Sequence, residues 1–491
     1  MAKARVAALA LCGLLVAGCG GSSSPKPPHG GAALRLALPL VPATLDPAKS
    51  ADLPSLNVAH ELYAGLTRFS GTGVEPDLAE SWDVDQGGLV WTFHLRKGLR
   101  WSDDAPITAA DFRRSWLRAL APETAAPYAG PALGIVRGAR RFHATGRGGI
   151  GVEAPDDRTL RVTLQHPVPW FDELAAFPIA APAPPRPRAF SGPFRLVSRD
   201  ASRLVLERNF AYWNAAAVKP RRLVLSASAE NADAVLPTGL AGPGLPWIDT
   251  ARAAPRGAAE LPLLATGLLW FVTRGTPLAD PGIRQYVAWV VTHLDLGTAP
   301  ARLVPPEMPG ASTVNSHAPV LLHSAPRPLR LTLVWARTDA GASRIAAALR
   351  RNAGRLRSFD IQLDYRPVRN LGELLGLAGP PPRPAVDLVL LGWSSKIFDA
   401  YNLLDLFPCG SAFNVARWCD PSYDALMGQA VRTLDDQARW RIERRLVEKL
   451  HDAVPAIPVY TASDHFSLAP GVHGFSWSPI GFYELMGLTR S

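Results

Sequence analysis

Cysteine and lysine are nearly missing from this chain, and so is any long apolar run outside its first twenty residues. Four cysteines and seven lysines occur among 491 residues. After the N-terminus no stretch approaches the roughly 20 apolar residues that a membrane-spanning helix needs, so nothing there reads as a transmembrane segment. So few cysteines exclude a multiply stapled small scaffold. With so little lysine, the positive charge is almost wholly arginine, which together with abundant Ala and Pro reads as the imprint of a GC-rich genome.

Catalytic signatures are missing as well. No P-loop and no G-x-S-x-G elbow occurs. Gly146 to Gly151 satisfies G-x-G-x-x-G, but no strand is expected before it. Residues 153–157 read as a turn rather than the helix a dinucleotide site requires. His60-Glu61 begins a zincin-like motif, yet Ala64 stands where the second histidine should be. His451, His465 and His473 fall close together late in the chain and read as surface or structural histidines. No pair of acidic residues is singled out for glycosidase chemistry. The expectation is a non-enzyme without metal or cofactor.

The first thirty residues carry a clear pattern. Lys3 and Arg5 precede an apolar stretch, Val6 to Ala17, too short to span a bilayer but suited to the core of a secretory signal. It ends in Val16-Ala17-Gly18-Cys19, which resembles the bacterial lipobox, where a peptidase cuts before a cysteine that carries diacylglycerol. Residues 1–18 are then the signal peptide, Cys19 the lipidated N-terminus, and residues 19–30, rich in Gly, Ser and Pro, a flexible tether. That would put the mature chain on the outer face of the cytoplasmic membrane. Cys12 leaves with the signal, so Cys409 and Cys419 remain in an oxidising compartment. They are expected to form a disulfide contributing about 3 kcal/mol in the chain-entropy model.

Hydrophobic residues at 47% and charged residues at 19% describe a globular protein, and this length suggests two or three domains. The net charge of +10 could indicate a nucleic-acid partner. The densest basic region, Arg327 to Arg369, instead lies on an amphipathic strand–helix–strand pattern and on no nucleic-acid module. A surface resting on anionic lipid head groups and a solvated helix face are the two remaining readings; the solvated face is the simpler.

Periodicity gives the coarse structure. Leu34, Leu36 and Leu38 alternate as a half-buried strand, and Leu45-Asp46-Pro47 turns out of it. Leu56 to Leu66 reads as a helix. Trp91, Phe93 and Leu95 share one face of a strand, and Thr108 with Asp111 forms a capping box ahead of a helix carrying Phe112, Trp116 and Leu120. Val386 to Leu391 is an apolar strand followed by Gly392-Trp393.

These blocks together resemble the peptide/nickel class, family 5, of solute-binding proteins of ABC importers. The matching stretches are Leu45-Asp46-Pro47, Pro76 to Trp82, Trp91 to Gly98, Trp101-Ser102-Asp103 and Thr108 to Phe112. The likeness continues through Asp156 to Leu160, Pro167 to Phe171, Gly192 to Leu196, Leu206 to Trp213, Asp280 to Tyr286, Asp420 to Asp424 and Pro455 to Tyr460.

The resemblance implies an α/β, three-lobed, periplasmic-binding-protein-like fold of type II with an extra inserted domain and mixed sheets flanked by helices. Domain I would collect residues 31–61, 178–263 and 474–491, domain II 62–177, and domain III 264–473. It implies a monomer that captures a peptide or peptide-like solute between lobes and passes it to membrane permease subunits. Asp52, Leu53, Tyr128, Trp393, Lys396 and Asp399 are the implied ligand-side residues. In the family an aspartate three residues after Gly-Trp pairs with a ligand's ammonium; here Lys396 occupies that place, and Asp399 follows three residues on. Other open readings are a lipoprotein that kept the fold as a sensor or scaffold, and a cell-envelope hydrolase.

Overall fold

The computed structural model describes residues 33–491 apart from 51, 185, 238–245, 248–257, 299–300, 307, 310–326, 379–385 and 412. The signal, Cys19 and the tether lie outside the described residues.

Strand β1 (Leu34–Ala37) buries Leu34 and Leu36, and helix α1 (Leu53–Leu62) follows it. An antiparallel sheet comes next, built from β2 (Ala79–Asp85), β3 (Val90–Leu95), β4 (Val152–Asp156) and β5 (Thr159–Thr163) in the order β2-β3-β5-β4. Trp91, Phe93 and Leu95 turn one face of β3 inward. Helix α2 (Ala109–Leu120) covers that sheet with buried Phe112, Trp116 and Leu120. Its capping box is present, the Asp111 carboxylate accepting from the Thr108 N–H at 2.8 Å. The segment expected as a turn after the glycine-rich stretch is instead strand β4 as far as Asp156. Val152 and Glu153 pair with β5, and that pairing overrides the turn propensity of Pro155-Asp156.

A short helix, α3 (Phe171–Leu174), leads back toward β6 (Phe194–Arg199), β7 (Arg203–Arg208), β8 (Arg222–Ser226) and β9 (Ala234–Val235). The chain continues through β10 (Ala259–Phe271), α4 (Pro281–Thr292), β11 (Leu329–Ala336), α5 (Ala340–Arg351), α6 (Ala353–Ser358), β12 (Ile361–Val368) and β13 (Leu388–Ser394). Helices α7 (Tyr401–Leu404) and α8 (Asp436–Ala453) precede the long strand β14 (Ala456–Leu468).

Among the described residues the larger sheet runs β12-β11-β13-β10-β14-β9-β1-β8-β7-β6. It is parallel where β11 meets β12 and β13 and where β1 meets β8 and β9, and antiparallel elsewhere along that order. Every residue of β13 is buried, as expected for a strand covered on both faces. The thirteen-residue strands β10 and β14 run side by side and join the two parallel regions, with pairing breaks between Pro262 and Thr266 and between Gly267 and Leu268. One apolar core lies beneath α4 and α5, with Ile283, Val287, Ile345 and Leu349 against Leu331 and Leu333 of β11. The other extends from the opposite face through α1, α2 and the four-stranded sheet.

Candidate functional site

Strand β13 carries Trp393 within it rather than beyond it, because β10 pairs as far as Ala265 with Ser394. The Trp393 indole is 5% exposed, rests 4.8 Å from the Phe413 ring, and its N–H meets no acceptor. Such an unmet buried donor costs free energy unless something completes it. Past the strand end, the Ser395 N–H donates to the Leu264 carbonyl at 2.7 Å and the Lys396 N–H to Asn402 Oδ1 at 2.9 Å, which fixes where the Lys396 side chain leaves the backbone.

Lys396 is partly buried and belongs to no ion pair within 4 Å among the described residues. Burial lowers its ammonium from the ordinary lysine value, with the charge of Asp405 acting the other way. Asp405, just past α7, is pushed up to about 6, chiefly by burial, while Lys396 and His166 pull it down. Lys396, Asp405 and His166 therefore share one electrostatic neighbourhood at the carboxyl end of β13, the end of a parallel strand where ligands gather in α/β sheets.

Asp399 has a different setting. Its carboxylate accepts from Arg439 of α8 at 3.0 Å from Nε and 2.9 Å from Nη2, with both side chains buried. Glu443 lies one turn further along α8 and is fully buried; burial first, and the Asp399 charge next, raise its pKa far enough to keep it protonated at neutral pH. Arg439 also sits 5.7 Å over the Trp170 ring, and Trp170 packs 4.6 Å from Tyr401. On α3, the Glu173 carboxylate accepts from the Phe398 N–H at 2.7 Å, and burial raises its pKa well above the usual value. The loop 396–401 is thus gripped from α8 on one side and from α3 on the other.

Asp52 caps α1, accepting from the Ser55 N–H and Oγ–H, each at 2.8 Å, and Leu53 is buried with its methyls against Gly481. Tyr128 is buried at the start of a helical turn, its hydroxyl raised in pKa by burial and by the charge of Asp52. The structure thus brings Asp52 near Tyr128, and Lys396 near Asp405, as two separate groupings. Cys409 and Cys419 are joined in a disulfide, with Cα atoms 4.5 Å apart. Among the described residues no His, Cys, Asp and Glu cluster could hold a metal ion. Two open troughs of about 590 and 600 Å³ lie elsewhere, around His94 and Arg158 and between Leu40 and Ser228. Asp405, His166, Glu173 and Arg439 were not expected from sequence. Their partners are remote along the chain, and only Asp405, close behind Lys396, had a local clue.

Comparison with known proteins fits this architecture. The model for bacterial extracellular solute-binding proteins, family 5 Middle, matches residues 73–291. The chain is 28% identical over 503 residues to the probable deoxycholate-binding periplasmic protein YgiS of Escherichia coli (strain K12), covering 88% of this chain and 89% of YgiS. It is 27% identical over 495 residues to the periplasmic oligopeptide-binding protein OppA of the same organism, covering 88% of each. Haemophilus influenzae OppA in complex with the peptide RPPGFSPFR superposes with a TM-score of 0.66 at 22% identity, over 93% of this chain and 98% of that one. The fold is that of the periplasmic binding proteins. Within that fold, residues 73–291 match the family 5 model, and the relatives by sequence over most of the chain are bacterial solute-binding proteins.

Proposed function

We propose that this protein is the lipid-anchored, extracytoplasmic solute-binding component of an ABC importer, which encloses a peptide or peptide-like solute between its lobes and presents it to permease subunits. The observation that carries the reading is likeness over nearly the whole chain to family 5 binding proteins, OppA among them. Under the domain division proposed from the sequence, Asp52 and Leu53 fall in domain I, Tyr128 in the inserted domain II, and Trp393 and Lys396 in domain III, so the solute would lie between lobes. Native mass spectrometry of the purified protein is the direct test: a retained peptide or small solute supports the reading. Turnover of any offered substrate, or no uptake defect on deletion, sinks it. Changing Cys19 to Ala should release the protein from the membrane fraction; firm retention would refute the anchor.

The Trp393–Lys396 end of the cleft presents two donors, an indole N–H and an ammonium, and neither has a protein acceptor among the described residues. That end suits a carboxylate or an N-blocked end better than a free ammonium, which Lys396 would repel. The acidic solute named for YgiS is compatible with the same chemistry.

The pH dependence has a definite sign. Asp405 ionises near pH 6 and then offsets the charge of Lys396. Acidification through that point neutralises Asp405, so an anionic ligand binds more tightly below pH 6 and a cationic one more weakly. Calorimetry on Lys396→Asp and Lys396→Met with the retained ligand tests this. Affinities within severalfold of wild type for both would remove Lys396 from the pocket.

A further inference from the structure

The basic region between residues 327 and 369 acquires a definite place in the fold. Strands β11 and β12 are parallel, with Leu329 opposite Ile361 at their amino ends. Helix α5 leaves the carboxyl end of β11 and runs back, so its last turn and α6 return to the amino ends of the strands. Arg330, Arg351, Arg355 and Arg357 are therefore gathered there, all exposed. β13 runs parallel to β11, so Trp393 and Lys396 lie at the opposite end of the same sheet. Arg350 instead covers the Tyr365 and Trp335 rings, at 4.6 and 5.7 Å, further along the strands. Arg330, Arg351, Arg355 and Arg357 make no ion pair among the described residues. The acidic groups at this end include Asp295, Asp360 (3.5 Å from Arg327) and buried Asp387, which accepts from the Thr332 N–H at 2.8 Å.

We propose that this arginine-bearing end of the sheet is a docking surface for anionic lipid head groups. Guanidinium groups that lack a carboxylate partner present planar donor forks matched to phosphate oxygens, and several together give the cooperative, salt-sensitive attraction that anionic bilayers exert on basic surfaces. The face is a helical one, and under the proposed extracytoplasmic placement anionic phospholipid is the abundant polyanion. Because the patch sits opposite the Trp393 end, a molecule resting on it would turn that end away from the bilayer. The inference rests on the extracytoplasmic placement and does not depend on the Cys19 anchor or on the ligand.

The chain from residue 19 onward, carrying Cys19→Ser so that no acyl chain is present, is sedimented with phosphatidylglycerol/phosphatidylcholine vesicles and with pure phosphatidylcholine vesicles. Binding to the anionic vesicles alone, weakened by salt, is expected. The triple variant Arg351→Glu, Arg355→Glu, Arg357→Glu should lose roughly tenfold or more of that binding. A charge-matched control, Arg140→Glu, Arg141→Glu, Arg147→Glu, should keep most of it, and both variants should melt close to wild type. Equal loss in the two variants would show a net-charge effect and overturn the docking surface. Absence of binding by the wild-type chain, or tighter salt-matched binding of duplex DNA through the same three arginines, overturns it as well. Unchanged ligand binding in the triple variant separates this result from the importer reading.

Discussion

At the scale of single residues, α8 holds the least ordinary chemistry in the molecule. Arg439 and Asp399 form a buried ion pair, 5% and 4% exposed at their side chains. Removing one partner leaves the other charge unpaired in low dielectric, so Asp399→Asn or Arg439→Met should cost roughly 3–5 kcal/mol by urea unfolding. The double change to an apolar pair should recover much of that loss, which single-charge removal alone would not. Glu443 behaves in the opposite sense. Its folded pKa is raised, chiefly by burial, so the native state keeps a proton that the unfolded chain releases above its ordinary value. The native state then loses stability as pH rises from the ordinary carboxylate range toward the folded value. Glu443→Gln should remove this slope: no advantage near pH 4, and on the order of 2 kcal/mol of added stability at neutral pH. Parallel denaturation curves for wild type and variant at pH 4 and pH 7.5 check it; a constant difference would mean that Glu443 does not titrate as described.

At the scale of elements, local rules read from sequence carry far but stop at contacts. The inward face of β3 and the capped helix α2 follow from alternation and a capping box. Helix α1 was expected over Leu56 to Leu66 but spans Leu53–Leu62, because Asp52 caps it early and Tyr63 is already extended. Beyond the helix, a side chain at Gly65 would stand 2.7 Å from the Thr67 carbonyl, so only glycine fits there. The ion pair of Asp399 with Arg439 and the bond from Phe398 to Glu173 span 40 and 225 positions, distances at which no periodicity operates. The crossing of β10 and β14 offers an element-scale test. A Cβ on Gly267 would stand 2.0 Å from the Tyr460 ring, and one on Gly341 would stand 2.5 Å from its hydroxyl. Gly267→Ala should therefore cost about 1–3 kcal/mol by overpacking, and adding Tyr460→Leu should return part of it. No recovery would place the strain in the backbone of the pairing break instead.

At the scale of the whole molecule, the question is what α3 does to the loop that carries Lys396 and Asp399. Three contacts lie along this side of the loop: the Phe398 N–H to Glu173, Trp170 against Tyr401, and Arg439 over Trp170. Under the proposed domain division, α3 belongs to the inserted domain and the loop to domain III, so these contacts cross between lobes and resist their separation. Glu173→Ala removes the one direct hydrogen bond among them and leaves the Phe398 N–H without its acceptor. The free variant should then sample more open arrangements, with faster hydrogen exchange at Phe398 and a larger radius of gyration by small-angle scattering. Ligand reverses this by mass action, stabilising the closed arrangement by about 2.7 kcal/mol at a hundredfold excess over its dissociation constant. Saturated wild type and saturated variant should therefore converge on one compact radius, with the variant binding more weakly by the cost of closing it. If the ligand leaves the radius of both proteins unchanged, the lobes do not hinge and the protein acts as a rigid scaffold. If Glu173→Ala alters exchange at Phe398 but not the radius, the contact is local and does not govern closure.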